Sequence, residues 1–150
     1  MKISTRGRYG LIALVDIAAC ESGECINIKN IAKRQGLSAL YLEQLVSPLK
    51  KAGLIKSIRG AQGGYRLNRP AQDISVGEAL EALEGPLYPV ECVSGDNEQS
   101  CGSADCDICV TKAVWERLYE RLSDVLGSIT LAELVSDYKP KIEVKKLGEE

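Results

Sequence analysis

Four cysteines fall within eighteen residues of a chain that has no histidine: Cys92, Cys101, Cys106 and Cys109, in the stretch "CVSGDNEQSCGSADCDIC". Thiolates are soft donors, and four of them suit either a tetrahedral zinc ion or the two irons of a 2Fe-2S cluster. The gaps between them are eight, four and two residues. Structural zinc usually takes two tight pairs, and only the last pair here is tight. The uneven spans favour a loop wrapped around a cluster, with zinc, a thiol switch and an inert loop as the lesser readings. Without histidine there is no His-dependent catalysis and no imidazole-ligated metal. A thiol oxidoreductase built on Cys106-Asp-Ile-Cys109 would need a thioredoxin-like strand-helix pattern around it, and none is present, so the chain is not expected to be an enzyme. Of the other two cysteines, Cys20 falls in a helical pattern and reads as a small core residue, and Cys25 also lies outside the cluster of four.

A segment rich in Gly, Ser, Asp and Asn packs poorly unless something ties it down, and the rest of the chain must hold it. With 150 residues and 45% hydrophobic content there is material for one domain and an attached element. The chain opens without a basic-then-apolar leader, and no apolar run nears the ~18 residues of a membrane span. A reducing cytoplasm is therefore the expected setting, which argues against a disulfide framework.

The net charge of -2 conceals a division. Residues 1–70 hold 12 Lys and Arg against 4 Asp and Glu, whereas residues 71–150 hold 7 against 17. Such a split fits a basic module that meets a polyanion, joined to an acidic module with another task.

The basic half reads as helices followed by a hairpin. "STRGRYGLIALVDIAAC" offers Ser4 and Thr5 as caps and an apolar helix through Leu11, Leu14, Val15 and Ala18. Ser4, Arg6 and Arg8 lie at its start as candidate DNA contacts, where unpaired backbone N–H groups would also suit a phosphate. "NIKNIAKRQGLSALYLEQLVSPLKKAGLI" reads as a short helix with Ile28, Ile31 and Ala32 inward, a turn at Gly36, and a second helix capped by Ser38. The buried stripe of that second helix is Leu42, Leu45, Val46 and Leu49, and Pro48 interrupts its ideal pattern. Its expected outward face carries Ala39, Leu40, Tyr41, Glu43, Gln44 and Ser47, then Lys50 and Lys51: side chains able to meet adenine and cytosine edges, and lysines for phosphates. "IKSIRGAQGGYRLNRP" adds a two-stranded hairpin with a glycine-rich tip. Gly60, Gly63 and Gly64 let the tip approach a groove, Arg59 precedes it and Tyr65 follows it. A helix-turn-helix with a basic hairpin is a winged helix, and double-stranded DNA is its expected partner.

In the acidic half, "DISVGEALEALEG" reads as a helix with Ser75 and Glu78 as a capping box and Val76, Ala79, Leu80 and Leu83 inward. Gly85 and Pro86 end it. After the cysteines, Trp115, Leu118, Leu122, Val125 and Ile129 advance in steps of three and four, the spacing of a seam between helices. A partner copy is the expected cover, since two-fold operators favour two-fold proteins. Thr130 and Glu133 suggest a second capping box and a short last helix. The expected plan is mostly α with a small β wing: residues 1–85 a winged-helix DNA-binding domain, 86–110 the cysteine-rich loop, 111–138 the dimerisation helices, and 139–150 a flexible tail.

"MKISTRGRYGLIALVDIA", the "YLEQL" and "RGAQGGYRL" motifs, and the Cys92, Cys101, Cys106 trio together resemble the IscR family of iron-sulfur cluster regulators, from residue 1 to about 138. The resemblance implies a homodimeric repressor on a palindromic operator, with a 2Fe-2S cluster in each loop and control of cluster-assembly genes. It assigns cluster ligation to Cys92, Cys101 and Cys106, minor-groove contact to Arg59, and base reading to Glu43 and Gln44. Two positions depart from the pattern. Where these proteins commonly place a histidine ligand, three residues after the third cysteine, this chain has Cys109. An all-thiolate site carries more negative charge than one with an imidazole and should have a lower reduction potential, and Asp105 and Asp107 would push the same way. The second departure is Leu40, an apolar residue on the face turned to DNA. Relatives that respond to nitric oxide or iron through a different cluster, or that hold none, keep the same fold.

Overall fold

A computed structural model describes residues 2–20, 24–94 and 109–138 of the chain. The first helix, α1, spans Thr5–Ala18; α2 spans Ile28–Gln35 and α3 spans Ala39–Lys51. The wing follows as β1, Ile55–Ile58, and β2, Gly64–Leu67, then come α4, Val76–Glu84, and α5, Lys112–Ser128. A last helix, α6, covers residues 131–138. Among the described residues the plan is thus mostly helical with one small antiparallel sheet, as the hydrophobic pattern predicts.

Local chemistry sets each boundary. Asn27 caps α2 by accepting from the Lys29 amide at 2.9 Å, and Gly36 ends it in the left-handed region at φ 65°. Ser38 caps α3, its hydroxyl accepting from the Tyr41 amide at 3.1 Å. This pair of terminators turns the chain sharply between the two helices of the helix-turn-helix. Ser75 and Thr130 likewise accept from the amides of Glu78 and Glu133. The Glu78 carboxylate, however, does not turn back on its own helix: it pairs with Arg69 and fastens the end of the wing to α4.

The main core gathers Ala13, Leu14 and Ile17 of α1, Leu42, Leu45, Val46 and Leu49 of α3, then Leu54, Ile55, Ile74, Ala79 and Leu83. Gly10 lets α1 and α4 close on each other, for a Cβ there would collide with Leu83. The wing joins this core through its base. In the register Ile55 faces Leu67 and Ser57 faces Tyr65, while Ile26 pairs with Tyr65 on the outer edge of β2 through N–H···O bonds of 3.0 and 2.9 Å. The link between α1 and α2 is therefore part of the wing's support.

The C-terminal region divides. Leu131 is fully buried in the main core, and Leu134, Val135 and Tyr138 pack against it, so α6 belongs physically to the winged helix. The turn before it is pinned to the start of α4: the Val76 amide donates to Ile129 at 2.9 Å and the Leu131 amide to Ile74 at 2.8 Å. In contrast α5 has no buried residue. Leu126 and Ile129 lean on a second small core of Val76, Leu80 and Leu87, while Val114, Leu118 and Val125 face outward, all more than 45% exposed. The expected seam is thus shared between the chain's own second core and an uncovered face. Among the described residues no helix is long and apolar enough to cross a membrane.

Candidate nucleic-acid interface and cysteine segment

The outward side of α3 carries Leu40, Glu43, Gln44 and Ser47, spaced so that they form one stripe opposite the buried leucines. With Arg6 of α1, Pro48 and Lys51 they line a shallow groove of about 440 Å³. Arg6, Arg8, Ser38, Leu40, Glu43, Gln44, Lys50, Arg59 and Gly60 are all exposed. Arg6 reaches the recognition stripe because α1 packs on α3, and the T-shaped pair of Tyr9 and Tyr41, 6.4 Å between ring centroids, fastens the two helices at that end. Tyr41 is therefore half spent on packing. Ser47 and Lys51 complete the groove as the outward helical face suggests.

The start of α1 is organised differently from the sequence expectation. Its amides and its cap serve an internal carboxylate: Glu84 Oε1 accepts from the Ser4 amide at 3.1 Å, the Ser4 hydroxyl at 2.5 Å and the Gly7 amide at 2.8 Å. The positive end of the helix dipole attracts an anion, and the chain supplies one from the last residue of α4. What remains for a phosphate at this end is the side chains of Arg6 and Arg8. Gly7 is buried at the junction, and a Cβ there would run into the Glu84 carboxylate.

In the wing, Gly60 alone of its three glycines uses a positive φ, 126°. Gly63 and Gly64 serve close approach within the protein, since a Cβ would strike the carbonyl of Ile58 at Gly63 and that of Ile26 at Gly64. Arg59 stands exposed just before the tip. The register also sets Lys56 directly opposite Arg66, two half-buried cations on the face opposite that of Ile55 and Leu67. Like charges opposed across a ladder destabilise it, so this face favours an anion. Neither residue stood out in the sequence, because the register that opposes them is a property of the folded hairpin.

A second feature escaped sequence reasoning. Asp16 is 0% exposed, and its carboxylate accepts from Tyr138 Oη at 2.8 Å and Gln35 Nε2 at 2.9 Å, with Arg34 at 3.4 Å. Burial, followed by the bond to Asp16, pushes the Tyr138 hydroxyl up to about 12, so it stays a donor. This cluster joins α1, the end of α2 and α6. An aspartate within the apolar run "LIALVDIAA" is a visible signal, but its partners lie far along the chain. Nearby, Cys20 is half-buried and donates weakly to the Asp16 carbonyl at 3.6 Å. Burial pushes its thiol up, in keeping with a packing role.

Of the four clustered cysteines, Cys92 and Cys109 are described, and Cys101 and Cys106 lie outside the described residues, as do Asp105, Asp107 and the tail. Cys92 sits in a 3-10 turn, Glu91–Val93, that packs against α5. Cys109 precedes the α5 cap by two residues, its Sγ 3.2 Å from Thr111 Oγ1, and both cysteines are half-buried. The two ends of the segment are thus both anchored at α5. Four thiols, with a hydroxyl placed to bond one sulfur, fit a soft metal or an iron-sulfur cluster. No group of three metal ligands assembles among the described residues, two of the four thiols being outside them.

A helix-turn-helix with an exposed polar recognition face, a basic wing and an arginine-bearing first helix defines a winged-helix DNA-binding transcription regulator, not an enzyme. The chain belongs to the Rrf2 family, described as iron-dependent transcriptional regulators, whose family model matches residues 3–137. It is 44% identical over 137 residues to protein rrf2 of Nitratidesulfovibrio vulgaris, covering 91% of this chain and 89% of that one. Among solved structures it is similar to IscR of T. potens, with 44% identity, a TM-score of 0.72 and coverage of 92% and 88%. It is also similar to CymR, the global cysteine regulator of B. subtilis, with 42% identity, a TM-score of 0.73 and coverage of 91% and 97%.

Proposed function

We propose that the chain is a homodimeric repressor of the cytoplasm. Its grip on a palindromic operator depends on a 2Fe-2S cluster held by Cys92, Cys101, Cys106 and Cys109, and it controls genes of cluster assembly. The observation that carries this reading is the route between the cysteine segment and the reading face. The segment begins just beyond Glu84, the carboxylate that holds the start of α1 and so positions Arg6 in the groove beside Glu43 and Gln44. It ends at α5, whose outward Val114, Leu118 and Val125 would meet the second copy. When bound, the cluster supplies a redox-sensitive and supply-sensitive tie between four thiolates. The protein's part is to convert order in residues 92–109 into a set of the α4 end, and through Glu84 into the placement of α1 against α3. Such coupling requires that the two arrangements of the dimer differ in DNA affinity.

In this reading Glu43 accepts from a cytosine amino group, Gln44 contacts an adenine edge, and Arg59 enters the minor groove at the wing. Arg6, Arg8 and Lys50 meet phosphates, with Ser38, Tyr41, Gly60, Gly63, Gly64 and Tyr65 shaping the same surface. Protein purified without oxygen should be coloured and contain two irons per chain, and Cys109→Ala should change its absorption and EPR spectra. Operator affinity should differ between cluster-loaded and cluster-free protein. A pale, iron-poor product after reconstitution would refute cluster sensing and leave a regulator of the same fold that answers to another signal.

A further inference from the structure

Leu40 is 69% exposed, yet it lies in the first turn of α3, at the head of the stripe that continues through Glu43, Gln44 and Ser47. The first turn of a recognition helix is the part that meets base edges. Every other described member of the groove except Pro48 offers a hydrogen-bonding group or a charge: Arg6, Glu43, Gln44, Ser47 and Lys51. A leucine side chain can neither donate nor accept. Pressed against guanine, adenine or the cytosine amino group it would leave a polar edge dehydrated and unpaired, which is unfavourable. The major groove has one apolar feature, the C5-methyl group of thymine.

We infer that Leu40 is a specificity-determining residue that selects thymine at one position of each operator half-site by packing on its C5-methyl. The inference rests on the DNA-reading role of α3 and deepens it. The flanking cations Arg6 and Lys51 fix the register of the helix on the backbone. Leu40 then discriminates at a single base pair next to the one met by Glu43 or Gln44, its neighbours one turn along the helix.

The test uses the full chain, cluster-loaded and cluster-free, with a randomised duplex library from which operators are selected. The selected sequence should contain a thymine at one symmetric position, and that preference should disappear in operators selected by Leu40→Ala and by Leu40→Ser. Replacing that thymine with deoxyuridine removes only the methyl group. For the parent chain this should weaken binding by about fourfold per half-site, the fold-change equivalent to ~0.8 kcal/mol for one buried methyl group. For Leu40→Ala and Leu40→Ser, thymine and uracil operators should bind alike. An enriched operator on which deoxyuridine substitution has no effect at any position overturns this role of Leu40 and leaves DNA reading by α3 intact. A library that yields no enriched sequence overturns both.

Discussion

Removing one oxygen atom at the far end of the chain should destabilise the whole winged helix. Tyr138→Phe takes away a hydroxyl that donates at 2.8 Å to Asp16, a carboxylate with no solvent exposure. Hydrogen bonds to charged groups contribute about 1.5–3 kcal/mol, and a buried carboxylate has no water to replace the lost donor. Asp16 keeps Gln35 at 2.9 Å and Arg34 at 3.4 Å, which limits the damage. A loss of about 2 kcal/mol is expected, or about 4–8 °C in Tm for a chain of this size. Thermal and urea melts of the two proteins, at one fixed protomer concentration because association would add to stability, provide the measurement. The same substitution made in an Asp16→Asn background should cost less, since the charge that strengthened the bond is gone. A Tyr138→Phe protein within about 0.5 kcal/mol of the parent would refute the reasoning and show that α6 is not held through this carboxylate.

Four further outcomes follow. The Tyr138 hydroxyl ionises at about 12 in the fold against about 10 in an unfolded chain, so the native state holds that proton more tightly. The resulting stability is fully present below pH 10 and disappears as pH rises through 12, and alkaline melts of Tyr138→Phe should lack this component. Gly7→Ala places a methyl group against the Glu84 carboxylate and should cost about 1–3 kcal/mol together with a loss of operator affinity, read by melting and fluorescence anisotropy. Leu118→Asp should abolish the proposed pairing of two copies in light scattering while leaving the fold intact by circular dichroism, since this side chain is half exposed on α5. Arg59→Ala should weaken operator binding and lower the slope of log affinity against log salt by about one for each arginine removed.

The legible parts of this chain were those encoded over short spans. Period and caps located α2, Gly36, Ser38 and the buried leucines of α3, because a helix with its terminators is written within a dozen residues. The outward stripe of α3 was legible for the same reason, as the complement of the buried one. What the sequence withheld depends on distant partners. Glu84 read as the end of an unremarkable helix, while its carboxylate in fact closes the start of α1 nearly eighty residues earlier. Glu78 suggested a capping box and instead holds Arg69. The glycines of the wing suggested a tip that approaches a groove, whereas two of them are required by backbone packed alongside within the protein. The spacing of Trp115, Leu118, Leu122, Val125 and Ile129 announced an apolar face without saying that part of it would be covered by Leu80 and Leu87 of the same chain.

The opposed cations Lys56 and Arg66 make the hairpin sensitive to its ionic surroundings in two contrary senses. Dissolved salt shields them from each other and eases the unbound hairpin, yet the same ions compete for the sites that a nucleic acid would occupy. A polyphosphate strand lying across that face would do for the ladder what no simple electrolyte can do at equal concentration, because its charges arrive already linked. Occupancy should therefore slow amide exchange within the hairpin itself, and the reading head should be stiffer on its target than in solution.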